Sequence, residues 1–292
     1  MSLDYNLVRN WPIEQAAQQY TTRDTILYAL GVGVATENPL AVDDLKLVFE
    51  QQLQALPTFA ALLAGNANWM ADPKAGINLA MVLHGEQFLT VHRPLPPQGT
   101  VVGIETVDEI YDKGAGKGAV MYLSRKIYDA ATDELLATTG FSIFMRGNGG
   151  FGGTATGQPK PYAMPEGRDA DASVDLGTRP EQAAIYRLSG DDNPLHIDPE
   201  AARAAGFDRP ILHGMCSYGI AGRAIIKLRC NGDAARLRTL NVRFATPVYP
   251  GETLRTEVWD VGPGKLAFRV RVVERDVIAI NNGYAEFLAH AA

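Results

Sequence analysis

The same order of strands and turns occurs twice in this chain, on either side of a segment too rich in glycine and proline to own a core. Residues 86–145 read as four strands, with turns at Pro97-Gln98-Gly99, at Gly114 to Gly118 and near Asp133. Residues 237–290 repeat that order, with turns at Pro250-Gly251, at Gly262 to Gly264 and near Asp276. In the third strand of the second set, Leu266, Phe268, Val270 and Val272 alternate with Lys265, Arg269 and Arg271, so one face is buried and the other wet. Ahead of this set, residues 213–229 follow Pro210 and stop at Asn231-Gly232, which predicts a helix. Its small residues Gly219, Ala221, Gly222 and Ala224 would let a sheet wrap closely around it. The matching helix of the first half is expected within 44–56 or 57–65. A helix followed by four long antiparallel strands, given twice, restricts the chain to an α+β arrangement. A curved sheet wraps a central helix in each half, and the two sheets join edge to edge. The expected divisions are an N-terminal repeat over 1–146, a Gly/Pro-rich linker over 147–181 and a C-terminal repeat over 182–292.

Length agrees with two units, since 292 residues exceed one small core. No stretch approaches the roughly 20 apolar residues that span a bilayer, so no membrane partner is expected. A net charge of −6 without a basic run argues against a nucleic-acid partner. The two cysteines, Cys216 and Cys230, form no Cys-x-x-Cys, which speaks against a disulfide scaffold or a zinc site and suits a reducing cytoplasm. Neither a basic-then-apolar leader nor a Ser-Lys-Leu type address is visible, so a cytoplasmic protein is expected. "GAGKG" (114–118) lacks the Ser or Thr of a phosphate loop, and "GVGVAT" (31–36) lacks the third glycine of a dinucleotide fingerprint. No "GxSxG" elbow and no His/Asp/Glu cluster with metal spacing is present, so neither cofactor nor metal is expected.

"GDDNPLHID" (190–198) is the segment with the densest chemistry. Asp191 and His196 are five residues apart, which on a helix would point them about 140° apart. Pro194 removes an N–H and pushes Asn193 toward extended geometry, so a rigid loop is expected that can turn both side chains to one side. A carboxylate and an imidazole facing one water form an acid–base pair, and Asn193 offers an amide to orient either. The alternative, that Asp191 and Asp192 are turn residues, is left open by local pattern; Asp198 and Pro199 read as the cap and first residue of a short helix. Gly214, at the start of the 213–229 helix, has a backbone N–H without an intrahelical acceptor, at the positive end of the helix dipole. It is either an oxyanion donor or small only because the sheet comes close. Proline at 214 would remove that N–H but is expected to break packing as well.

Residues 186–215, "YRLSGDDNPLHIDPEAARAAGFDRPILHGM", resemble the hydratase motif of the MaoC-like, (R)-specific enoyl-CoA hydratases, or hydratase 2. "YALGVG" (28–33), "LPTFAALLAG" (56–65), "VLHGEQ" (82–87), "DKGAGKGA" (112–119) and "RGNGGFGG" (146–153) are similar to the first half of two-repeat members, including the hydratase region of peroxisomal multifunctional enzyme type 2. The resemblance implies a double hot-dog fold in which only the C-terminal repeat keeps the catalytic loop. It implies Asp191 and His196 as the catalytic pair, Asn193 as support and Gly214 N–H as oxyanion donor. Contacts to acyl-CoA are implied from His84, Gly85, Lys113 and Phe244. A non-catalytic first repeat would hold the acyl chain and CoA, and the chain would be a homodimer. The implied reaction is reversible syn addition of water to trans-2-enoyl-CoA, without cofactor, giving (3R)-3-hydroxyacyl-CoA. Which of Asp191 and His196 is base stays open. Leu83-His84-Gly85 mimics Leu212-His213-Gly214, but it leads straight into a strand and is not a second oxyanion helix.

Overall fold

The computed structural model describes residues 3–38 and 41–289. Its strands are β1 (Ala16–Tyr20), β2 (Val82–Val91), β3 (Gly99–Asp112), β4 (Ala119–Asp129), β5 (Leu135–Met145), β6 (Ala172–Gly177), β7 (Leu237–Phe244), β8 (Thr253–Gly262), β9 (Lys265–Val272) and β10 (Val277–Phe287). They form one ten-stranded sheet in the order β1-β3-β4-β5-β2-β7-β10-β9-β8-β6, every neighbour antiparallel. Exchanging β1–β5 for β6–β10 maps this order onto itself. The repeat in the sequence is therefore a repeat in space, and the edge-to-edge joint is the β2–β7 ladder, with Glu86 opposite Arg243 and Thr90 opposite Thr239.

The eight long strands lie where alternation and turns place them. The two outermost, β1 and β6, escaped the sequence pattern because an edge strand buries little. β1 reads Ala-Ala-Gln-Gln-Tyr, with only its last residue buried. β6 falls within 147–181, so that segment is not wholly a connection: it adds a strand to β8 through pairs such as Leu176 with Leu254.

The predicted central helix of the second half forms as Gly214–Arg229, with His213 as its N-cap. Tyr218, Ile220, Ala224 and Ile225 on the helix and Phe268, Val270 and Val272 on β9 are all buried in one cluster. Burying each large apolar side chain of this kind contributes about 1.5–3 kcal/mol. Gly219 serves a different neighbour from the one expected. A Cβ there would lie 2.4 Å from Val32 Cγ1 and 2.8 Å from the Tyr28 hydroxyl, so the small residue admits the first repeat rather than the sheet.

Among the described residues of the first repeat the longest helix is Thr22–Gly31, and it lies outside the two candidate segments. The two candidate segments yield a helix at Val42–Val48 and a 3-10 turn at Pro57–Leu62. Gln52 takes a left-handed conformation (φ 61°), and Leu56, before Pro57, is extended. Those two backbone states break 44–65 into short pieces.

On the outer face, the connection after β5 crosses the seam. Tyr111 Oη donates to the Gly157 carbonyl at 3.0 Å, Gln158 Nε2 donates to Tyr122 Oη at 3.1 Å, and Asn282 Nδ2 donates to the Tyr162 carbonyl at 2.8 Å. Tyr162 stacks on Tyr284 with centroids 4.7 Å apart. The connection thus touches both repeats. The glycine-rich turns beside it share one anchor: Asp112 accepts from the N–H groups of Gly114, Gly150 and Gly152 at 2.8, 2.7 and 2.8 Å. Those bonds, Gly150 first, hold its carboxyl below the usual carboxylate range.

Candidate active site

The loop 190–198 begins with Gly190 at φ 114°, a conformation a side chain would strain, and this glycine turns the chain out of the short helix Gln182–Tyr186 and the 3-10 turn after it. Asp191 Oδ1 accepts from Asn193 N–H at 3.3 Å, and Asn193 Oδ1 accepts from Leu195 N–H at 3.0 Å. Asn193 therefore caps the single 3-10 turn Pro194–His196, its carbonyl oxygen committed to the backbone. That turn brings His196 round to the side of Asp191, as the five-residue spacing required. Asp198 Oδ1 accepts from Glu200 N–H at 2.8 Å and caps the helix Pro199–Ala204, and Asp192 lies exposed.

His196 is 9 % exposed, and its Nδ1 lies 2.9 Å from the Ile211 carbonyl. A carbonyl can only accept, so Nδ1 carries a proton, and in the neutral tautomer the lone pair is on Nε2. Behind it is a residue the sequence reading passed over. His213 is fully buried, its ring stacked on that of His196 with centroids 3.8 Å apart. His213 Nε2–H donates to the Asp191 carbonyl at 3.2 Å, and its Nδ1 has no hydrogen-bond partner. Burial first, and the neighbouring His196 next, push its pKa down to about 4, so it is neutral near pH 7. Tyr186 stands behind His213 at 4.9 Å. The motif contained both residues, but ring contacts between positions 17 and 27 residues apart leave no local signature.

Donor atoms of Asp191, His196 and His213 lie within 4.8 Å of one another. Spacing along the chain gave no sign of this convergence, which the fold makes. The arrangement leaves the Asp191 carboxylate and the free nitrogen of His196 to hold one small guest such as a water.

Gly214 is the first residue of its helix, and its N–H is one of the unpaired first-turn donors. A Cβ at this position would lie 3.4 Å from the Phe244 ring. Phe244, at the end of β7, meets His84 of β2 edge-on at 4.9 Å across the seam. His84 Nε2–H donates to the Glu86 carbonyl at 3.1 Å, across a register shift that contains Gly85. Added side-chain bulk at Gly85 would press on Ser142 Oγ at 3.0 Å. Asp191, Gly214, His84, Gly85 and Phe244 are thus one neighbourhood built from both repeats. Lys113 is elsewhere, its Nζ donating to Gln158 Oε1 at 2.5 Å beside the Tyr111 ring.

Asp191 and His84 open onto a cavity of about 590 Å³, within the size range of small-molecule sites. Its lining includes Ala61, Leu62, Val82, Phe141 and Ile143 of the first repeat and Met215 of the second.

A carboxylate–imidazole pair, with Asp191 on the lining of a cavity drawn from both of two fused sheet repeats, defines a double hot-dog protein with a hydratase-type site. The family follows from comparison with known proteins: the MFE-2 hydratase 2 N-terminal domain matches residues 18–147 and the MaoC like domain matches 162–283. The chain is 41 % identical over 277 residues to 3-hydroxyacyl-thioester dehydratase Y of Mycobacterium tuberculosis, covering 93 % of this chain and 94 % of that one. It is 40 % identical over 279 residues to mouse peroxisomal multifunctional enzyme type 2, covering 93 % of this chain and 37 % of that enzyme's length. The crystal structure of a MaoC-like dehydratase from Phytophthora capsici superposes with a TM-score of 0.86 at 36 % identity, covering 98 % of this chain and 99 % of that one. The chain belongs to the MaoC-like hydratase 2 family.

Proposed function

We propose that this protein is an (R)-specific 2-enoyl-CoA hydratase that adds water reversibly and syn to a trans-2-enoyl-CoA. The observation that carries the reading is the convergence of Asp191 with the His196 ring beside a cavity that Asp191 lines and that Ala61, Leu62, Phe141 and Ile143 help to wall. In this reading the pair holds one water. His196 Nε2, its opposite nitrogen already protonated, takes the proton as the water oxygen bonds to C3. A proton passes through the pair to C2 on the same face, so one water is consumed and the side chains return to their starting states. Charge that develops on the thioester oxygen is met by the Gly214 N–H at the helix terminus. Asn193 holds the loop, while His84, Gly85 and Phe244 shape the entrance. Lys113 serves this reading only as a cation for a CoA phosphate. The first repeat (1–146) holds the acyl chain, the second (182–292) carries the chemistry, and 147–181 joins them.

The test is loss of enoyl-thioester absorbance with crotonyl-CoA and trans-2-decenoyl-CoA, followed by chiral analysis of the product. The expected product is the (3R) alcohol. A (3S) product or no hydration would overturn the reading. The mycobacterial relative's name favours the reverse direction as a second reading, dehydration of a 3-hydroxyacyl thioester. The relative rates from the two ends, with CoA and with acyl carrier protein thioesters, separate these. A cytoplasmic homodimer completes the proposal. Two buried free cysteines suit a reducing compartment, and among the described residues no helix is long and apolar enough to cross a membrane. Plant and mouse relatives are named peroxisomal, so localisation by fluorescent fusion is the check on this point.

A further inference from the structure

The cavity changes character with depth. The strand order from the seam outward is β2, β5, β4, β3, β1, and the lining residues follow it: His84 on β2, Phe141 and Ile143 on β5, Arg125 on β4, Glu105 on β3 and Gln18 on β1. Nearest the catalytic loop the wall mixes Val82, Phe141 and Ile143 with His84 and the amide of Gln87, while its far part carries the charged and amide side chains of Arg125, Glu105 and Gln18. From β2 to β4 is two strand spacings, about 10 Å, the span of roughly eight bonds of an extended carbon chain.

Glu105 and Arg125 stand opposite each other in the β3–β4 register as an ion pair of 3.1 Å, with side chains only 3 % and 7 % exposed. The matching wall of the second repeat sets Val258 against Phe268, Thr256 against Val270 and Leu254 against Val272, with no charge. A buried ion pair adds little to stability over well-packed apolar residues of similar volume, so stability does not account for it. Its hydrogen bonding is also incomplete. Of the five guanidinium N–H groups, one donates to Glu105 Oε2 and one to the Ala61 carbonyl at 2.6 Å, while Nε–H meets no acceptor. Glu105 Oε1 has no hydrogen bond either, though the Trp69 indole supports that carboxylate at longer range. An alkyl tail pushed against this pair would strip its remaining hydration and return nothing. A tail carrying an oxygen could satisfy it.

We propose that the Glu105–Arg125 pair is a specificity element for the distal acyl chain, selecting thioesters that carry a neutral oxygen, a hydroxyl or a carbonyl, at that depth. This rests on the reading of the cavity as the acyl site. The class is neutral because the pair already balances its own charge, and a distal carboxylate would lie against Glu105.

The test compares kcat/KM for crotonyl-CoA, trans-2-decenoyl-CoA and 10-hydroxy-trans-2-decenoyl-CoA in the wild-type enzyme. The hydroxylated ten-carbon substrate should exceed the plain one about tenfold, the worth of one hydrogen bond to a charged group. In the double variant Glu105→Leu, Arg125→Met that ratio should fall to one or below. Each ratio is taken within a single protein, so partial loss of fold cancels; if the variant does not fold, the wild-type ratio alone decides. A wild-type ratio of one or less, or a preference that survives in the double variant, overturns the proposal. Failure to hydrate crotonyl-CoA, which is too short to reach the pair, would instead bring down the hydratase reading beneath it.

Discussion

The two repeats present five strands each to one sheet and differ in what covers the concave side. In the second, a sixteen-residue helix packs against the sheet, and its first residue faces the site. In the first, the chain over the sheet is broken at Gln52 and Pro57, and a cavity of about 590 Å³ opens. A fold that needs one filled half to be stable can leave the other open. The cavity opens beside the broken segment, and the proposed chemistry sits at the start of the sixteen-residue helix.

The largest effect expected in breaking this contrast is at the loop. Asp191→Asn and His196→Gln should each lower kcat/KM about 10²- to 10⁴-fold while thermal unfolding stays near wild type. Turnover like wild type in either variant removes that residue from the mechanism. Next is the helix end. Gly214 occupies the first helical position and His213 before it is already extended (φ −56°, ψ 132°), the setting proline prefers. Contrary to the sequence-based expectation of broken packing, Gly214→Pro should fold and lose about 10²- to 10³-fold in kcat. Gly214→Ala keeps the N–H and should lose far less; equal losses would mean that bulk against Phe244, not the donor, matters.

Filling each half sharpens the comparison further. Ala61→Phe, in the open half, should cut the decenoyl-to-crotonyl kcat/KM ratio about tenfold. Gly219→Val, in the filled half, should instead cost about 1–3 kcal/mol in denaturant unfolding, since its side chain would collide with Val32 and Tyr28. A stability loss without a change in chain-length ratio from Ala61→Phe would close the cavity as a binding site. The most gradual effect concerns pH, spread over more than two pH units. His213 has its pKa at about 4 in the fold against roughly 6.5 unfolded, so the neutral form favours folding. Its contribution is complete above pH 6.5 and is lost as pH falls from there toward 4, at no more than about 1.4 kcal/mol per pH unit. Denaturation midpoints of wild type and His213→Phe across that range should diverge in slope; parallel curves would contradict it.

Much of this could be read from the chain because strands with one wet face write their period into the sequence, as Leu266 to Val272 do. Edge strands such as Ala16–Tyr20 bury too little to do so. Asp191, His196 and Gly214 were legible because the motif keeps them within 24 positions. His213 stood in plain sight, yet a ring stacked on another ring has no sequence period. Glu105 and Arg125 are separated by twenty positions and look like ordinary members of wet strand faces. Only the register of β3 with β4 shows that they face each other indoors.

The seam has one more consequence. The two repeats are held by the β2–β7 backbone ladder and by a connection laid across both outer faces, not by the connection alone. Two fragments divided between Tyr162 and β6 and made separately would each keep one of the ladder's two strands. Tethered, the halves meet at a millimolar effective concentration; cut, they must find each other by diffusion. Activity restored by mixing would then rise with the product of the two fragment concentrations. The site would exist only in the complex, with neither polypeptide an enzyme by itself.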